Sequence, residues 1–251
     1  MADAPARDTA QDPDQDPALA SPPPTGESPA RKQPIRDAAT LVLVRMRGKT
    51  PEVLMGERSS GHIFYPHHYV FPGGRVDRSD GYVTPATPLR PDVLARLSAA
   101  ATPRRAQALA LAAVRETFEE AGLVLGAEAP RPSRAPKGWA PFYETGYGPA
   151  LDGLTYIYRA VTPPGRTRRF NARFFVADYE RIVAKADIDE DELLKLHWRD
   201  LDSALDLKIR PITALVLKEI KARLQDGSLY DDRPVKWVKT GLGAKRIAGV
   251  E

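Results

Sequence analysis

The chain has 251 residues, with 37 Lys and Arg against 33 Asp and Glu (net charge +4), 42% hydrophobic and 28% charged residues, and no cysteine. This composition excludes a collagen-like or wholly disordered chain, and without cysteine there is no disulfide framework, thiolate zinc site or cysteine nucleophile. No apolar run approaches the ~20 residues of a membrane span, no basic and apolar leader stands at Met1–Pro5, and a cytoplasmic location is expected.

Residues 1–37 read as a disordered tail. Pro5, Pro13, Pro17, Pro22, Pro23, Pro24, Pro29 and Pro34 sit among Asp, Gln, Ser and Ala, a mixture that buries too little apolar surface to offset its ordering entropy. Residues 38–251 are expected to form a single domain. Ala39-Thr-Leu-Val-Leu-Val-Arg45 reads as a buried strand, and Glu52–Arg58 as its hairpin partner. Tyr69–Phe71 is a short strand stopped by Pro72-Gly73-Gly74. Residues 75–102, rich in Pro, Thr, Ser and Asp, read as a long loop holding a short helix near Asp92–Ala99. A strong helix follows: Thr102 suits the N-cap, Pro103 the first helical position, and Gly122 the left-handed position after Ala121. Leu123–Leu125 is the next strand and residues 126–153 read as loops. Ala172–Ala177 and Leu193–Trp198 read as strands, and Pro211 opens a last helix with Ile212, Leu215, Val216, Ile220 and Leu224 on one stripe. Strands, helix, strands, helix predict a mixed α/β sandwich.

The chemistry concentrates in Arg115-Glu-Thr-Phe-Glu-Glu-Ala-Gly122. At 100° per residue, Glu116 at 0° puts Glu119 at about 300° and Glu120 at about 40°. Leu111, Val114, Phe118 and Ala121 fall on the opposite side, so the helix buries one face and gathers three carboxylates on the other. A solvated acidic face is the plain alternative. Two costs argue against it: like charges at these spacings destabilise by roughly 0.2–0.5 kcal/mol per pair, and the C-terminal end of a helix disfavours anions. A helix that accepts both has use for a cation. Mg²⁺ and similar hard ions take carboxylate oxygens and complete their shell with water and substrate phosphates. The second piece is Phe71-Pro-Gly-Gly-Arg-Val-Asp77, whose paired glycines allow close backbone approach.

Together these pieces resemble the Nudix box: Gly, five residues, Glu, seven residues, then Arg-Glu-U-x-Glu-Glu-x-Gly-U with U apolar. Arg115–Leu123 completes the second half except that Thr117 stands at an apolar position. Gly74 opens the first half, with Asp80 where the family has Glu. Residues 75–114 separate Gly74 from Arg115, about three times the thirteen of the family's pattern, so the 75–102 segment is an insertion. Phe71–Asp77, Val161-Thr-Pro-Pro-Gly165 and Arg169–Phe175 resemble a split-box Nudix subgroup that includes peroxisomal CoA diphosphatases. The likeness runs from about Ala38 to Leu224.

That resemblance implies a Nudix-like mixed-sheet α/β/α sandwich of the α/β (α+β) class. It implies metal-dependent hydrolysis of a diphosphate linkage in a nucleoside-diphosphate-linked substrate, with CoA or acyl-CoA narrowly ahead of ADP-ribose or dinucleotides. Glu116, Glu119, Glu120 and the carbonyl of Gly74 (or Gly73) would hold Mg²⁺ or Mn²⁺, and Arg115 would orient Glu116 or Glu119. The general base is open between Glu116 and an acid of the Asp189-Glu-Asp-Glu192 run, Glu190 or Glu192. Arg58, His68, Arg75 and Arg169 are the substrate-binding candidates. Arg166, Arg168, Arg169 and Arg173 either grip a phosphate or form a solvated loop. Phe174, Phe175 and Trp198 fit core packing better than base stacking. His62, His67 and His68 lack the further ligands a zinc site needs.

Two other readings stand beside this one: a catalytically inactive Nudix-fold binding or regulatory module, and an RNA-directed Nudix hydrolase. The first would usually have lost box carboxylates, and all three are present. The second would show a contiguous basic stripe with interleaved aromatics, whereas Lys and Arg here are scattered. The expected partner is therefore a small nucleotide diphosphate, without membrane or nucleic acid, and a homodimer stays open. Because the insertion lies off the helix face, trimming residues 81–101 is expected to change substrate preference more than metal dependence.

Overall fold

The computed structural model describes residues 34–57, 68–164, 168–187, 195–239 and 244–246. The tail up to residue 33, Arg58, His62, His67, Arg166, Glu190 and Glu192 lie outside these residues.

Strand β1 (Ile35–Arg47) is the axis of the fold. Along its middle, Leu41 and Leu43 belong to one core cluster and Val42 and Val44 to another. A strand apolar at every position is one buried on both faces. β1 pairs antiparallel with β2 (Thr50–Glu57) and, through Ala38–Thr40, with β4 (Gly73–Arg75); β3 (Tyr69–Val70) adds to β2. β1 also runs parallel to β8 (Arg169–Asp178), in register from Ile35–Arg169 to Val44–Asp178. With β7 (Thr155–Val161), β10 (Lys195–Asp200), β11 (Lys236–Lys239) and β12 (Ala244–Arg246), the main path of this sheet is β10-β2-β1-β8-β7-β11-β12. A second sheet has the order β6-β5-β9, from Tyr147–Pro149, Leu123–Glu128 and Ile182–Lys185.

Four α-helices complete the described residues: α1 (Pro91–Ser98), α2 (Pro103–Ala121), α3 (Ala140–Glu144) and α4 (Pro211–Gln225). α1, α2 and α3 pack on the Leu41 face and α4 on the Val42 face. The result is the expected mixed α/β/α sandwich. No helix among the described residues is long and apolar enough to cross a membrane.

Several boundaries differ from the sequence reading. The first strand begins at Ile35 rather than Ala39, and so within the expected tail of residues 1–37, because Ile35 joins the ladder to Arg169 and Asp37 pairs with Arg105 and Arg173 at 2.8 Å each. Pro72-Gly73-Gly74 does not end the sheet; Gly73–Arg75 is itself a strand against β1. The reading missed Thr155–Val161, whose inward–outward alternation is broken by a bulge between Tyr156 and Tyr158. It also took α3 and β6 for loop, and passed over β9.

The insertion is structure rather than a removable loop. A 3₁₀ turn (Ser79–Tyr82) and α1 carry Val83, Leu89, Val93 and Leu97 into the core under α2. Trimming residues 81–101 would remove all four side chains, so stability, before substrate preference, is what such a deletion changes. Leu97→Ala alone is expected to cost ~2–5 kcal/mol, as for other buried Leu truncations, measured by chemical denaturation.

Candidate active site

Helix α2 forms as its caps require. Thr102 Oγ1 accepts from Arg105 N at 3.3 Å, Pro103 fills the first turn, and Gly122 at φ 66° supplies the left-handed residue that frees Leu123 to start β5. The helix is buried nearly all round, Arg115 and Thr117 included. The acidic face is therefore not a solvated one. It rests against the Gly73–Arg75 strand and the segment around Trp139.

Gly74 makes that closeness achievable. A Cβ there would stand 2.4 Å from Glu116 Oε2 and 2.5 Å from its carboxyl carbon, and one on Gly73 would stand 2.6 Å from Ala39 O and 2.7 Å from Thr40 Cα. The two glycines thus differ. Gly74→Ala meets the movable end of a side chain and is expected to displace the Glu116 carboxylate, lowering activity about tenfold or more with little change in Tm. Gly73→Ala meets fixed backbone and is expected to cost ~1–3 kcal/mol. Paired activity and melting measurements on both variants check this.

Arg115 is the hub. Its Nε donates to Asp80 Oδ1 at 2.9 Å and Nη2 to Asp80 Oδ2 at 3.3 Å. Nη2 also donates to Arg75 O at 2.9 Å, and Nη1 faces Glu119 Oε2 at 2.7 Å and Glu116 Oε1 at 2.9 Å. Asp80, fully buried, further accepts from Trp139 Nε1 at 3.0 Å and from Asp77 N at 2.8 Å. Glu120 Oε2 accepts from Gly73 N at 2.8 Å. Trp139 is itself buried among Phe142 and Tyr143, with Phe118 of α2 against Phe142.

The electrostatics follow from three carboxylates sharing one guanidinium. Burial opposes the Arg115 charge, but Asp80, Glu116 and Glu119 outweigh it and hold the group above its usual range. Burial is the largest influence on Glu116; with Glu119 it outweighs Arg115 and pushes the carboxyl up to about 7. Burial likewise raises Glu119. Surplus negative charge, hard oxygen donors and a glycine cradle suit a divalent cation such as Mg²⁺ or Mn²⁺. Among the described residues no three His, Asp or Glu side chains converge on one point. Glu116 and Glu119 turn instead onto Arg115, so a cation here competes with that guanidinium.

The structure brings Glu116, Glu119, Glu120, Arg115 and Gly74 together. Arg75 joins through its carbonyl while its side chain is exposed. His68 is half-buried at the head of β3. Arg169 opens β8 and donates Nε to Thr162 O at 3.3 Å. Arg173 is neither a phosphate grip in a loop nor solvated: it is 2% exposed and paired with Asp37. Phe174 and Phe175 are core residues on opposite faces, and Trp198 packs edge-on against Tyr179 under Arg45. The sequence reading put Asp80 at the box position of the family's Glu but gave it no role at the site, and it missed Trp139. The five-residue step from Gly74 located the first; nothing marked the second.

No protein-family model matches the chain, and no curated protein does. Among solved structures it is similar to a NUDIX hydrolase from Alicyclobacillus acidocaldarius, with 26% identity, TM-score 0.56, and coverage of 77% of this chain and 96% of that one. It is also similar to the Nudix hydrolase RenU from M. smegmatis (19% identity, TM-score 0.41, 77% and 89% covered). A third is a C. elegans Ap4A hydrolase (17%, 0.43, 76% and 99%).

Proposed function

This chain is a member of the Nudix superfamily by its fold, and on that premise we propose that it is a metal-dependent diphosphatase. Its substrates would be nucleoside diphosphates linked to a second group, with CoA or acyl-CoA ahead of ADP-ribose and dinucleotides, in the cytoplasm. One observation carries the reading: Glu116, Glu119 and Glu120 are gathered on one helix face, two of them on a single arginine.

In this reading Glu116, Glu119, Glu120 and the Gly74 carbonyl hold Mg²⁺ or Mn²⁺. The bound ion supplies charge neutralisation for adjacent phosphates and a lowered pKa for water. Arg115, clamped by Asp80, fixes where the Glu116 and Glu119 carboxylates stand. Trp139 and its aromatic neighbours keep bulk water from the buried side of that clamp. The proton acceptor is open between Glu116 and one of Glu190 and Glu192, and Arg58, His68, Arg75 and Arg169 remain the proposed substrate contacts. Comparing Glu116→Gln with Glu190→Gln and Glu192→Gln assigns the acceptor by which variant loses the alkaline dependence of kcat.

A panel of CoA, acyl-CoAs, ADP-ribose, dinucleotides, NADH and nucleoside triphosphates, assayed with Mg²⁺ and with Mn²⁺, tests the proposal. Cleavage of a diphosphate that stops on chelation supports it. No turnover on any member with either ion refutes it in favour of a binding module.

A further inference from the structure

Across the central sheet, cross-strand partners fall in one row. Gly74 stands opposite Ala39, Ala39 opposite Arg173, Arg173 opposite Arg159, and Arg159 opposite Trp237. Directly paired residues share a sheet face, and Ala39 belongs to the core beneath α2. Arg173, Arg159 and Trp237 therefore lie on the face that carries Glu116. Strands are about 4.8 Å apart, so Arg159 stands roughly 14 Å from Gly74, three strands away.

Charge along this row is unbalanced. Asp37 takes both Arg105 Nε and Arg173 Nη1 at 2.8 Å. Asn171 donates Nδ2 to Asp37 at 3.1 Å and offers its Oδ1 to Arg159 Nε at 2.9 Å. Tyr156 faces Arg173 and Arg159 through its hydroxyl. Arg159 lies 5.3 Å from the Trp237 ring centroid and has no carboxylate in ion-pair reach among the described residues. Burial, and next the neighbouring Arg173, hold its guanidinium below the usual range. Three guanidinium groups thus share one carboxylate, with Arg173 buried beneath and Arg159 half-buried beside it.

We infer that Arg159, with Asn171 and Trp237 beside it, seats a phosphate monoester of the substrate, separate from the diphosphate that is cleaved. An excess of two positive charges matches a phosphate dianion. The planar guanidinium also presents its Nη edge in the geometry that phosphate oxygens accept. The inference rests on the diphosphatase reading and narrows it. Nucleotides with an additional ribose phosphate, such as CoA or NADPH, are favoured over dephospho-CoA, NADH and ADP-ribose, which lack one.

Matched pairs test this. Wild-type kcat/KM is expected to favour CoA over dephospho-CoA, or NADPH over NADH, by about tenfold or more, the size of one charge-assisted contact. Arg159→Gln should bring the ratio towards one, with the loss falling on the phosphorylated member, and Arg159→Lys should keep part of it. Equal kcat/KM within both wild-type pairs, or equal losses on both members in Arg159→Gln, overturns the inference. Calorimetric binding of adenosine 3′,5′-bisphosphate against AMP reads the same seat without turnover. Tighter bisphosphate binding that Arg159→Gln abolishes supports the inference, and equal affinities overturn it. A chain that keeps this difference but cleaves nothing refutes the diphosphatase reading alone.

Discussion

Glu119→Gln and Glu120→Gln are each expected to lower turnover by about a hundredfold or more, with Tm within a few degrees of wild type. The two halves of this expectation come from opposite sides of one helix. Phe118, Val114 and Leu111, which anchor α2 in the core, are untouched by either change. Glutamine keeps an oxygen that accepts from Arg115 or from Gly73 N. What is lost is charge, and charge is what a hard cation binds. Glu116→Gln should go further: this carboxylate is mostly buried, shares Arg115 with two others, and is opposed by its surroundings. Without added divalent ion, the variant should melt no lower than wild type and by preference higher, while its activity and Mn²⁺ binding fall. Inactive but stable is the signature of a site that accepts strain for function. Activity near wild type in all three variants would remove the metal assignment. A collapse in Tm would mean that the carboxylates serve the fold instead.

How far the sequence carries depends on whether a feature is local. Helix α2 is legible because its caps, its glycine stop and its charged face all lie within a few turns. β1 is legible because burial on both faces leaves an unbroken apolar run. Arg173 is not: at the head of the Ala172–Ala177 strand and near a Pro-Pro-Gly turn, its side chain reads as a phosphate grip or a solvated group, and only the parallel pairing of β8 with β1 places it two registers from Asp37 and inside the molecule. Trp139 reads as loop for the same reason, since its burial depends on Phe142 and Tyr143 folding over α2. Asp80 is the most instructive residue. The long insertion separates it from Arg115 in sequence, yet the 3₁₀ turn at Ser79–Tyr82 holds it under the helix. The five-residue step from Gly74 to the acid is that of the family pattern, so the surplus residues fall between Asp80 and Arg115 rather than from residue 75, and this half of the box stays in place.

Asp80→Ala is expected to be the most destabilising single change at the site. The side chain is fully buried and accepts from Arg115, from the Trp139 indole and from Asp77 N. Removing it leaves a largely buried guanidinium with weaker compensation, and breaking such a pair costs ~3–5 kcal/mol. At about 2–4 °C per kcal/mol for a chain of this size, Tm should fall by roughly 10 °C or more. Asp80→Asn keeps the shape and part of the acceptor capacity, so it should fold at low temperature and separate position from stability. Without the Asp80 charge, Arg115 is left to Glu116 and Glu119, the carboxylates a cation would use. The apparent Mg²⁺ requirement should therefore rise about 10–100-fold, the range for groups that orient metal ligands, and saturating Mg²⁺ should restore much of kcat. Asp80→Glu installs the acid of the wider family, but one methylene too long for a closed pocket, and should cost ~1–3 kcal/mol. If Asp80→Ala melted within a degree of wild type, or Asp80→Asn lost kcat with no change in Mg²⁺ requirement, the clamp would not be what holds the carboxylates in place.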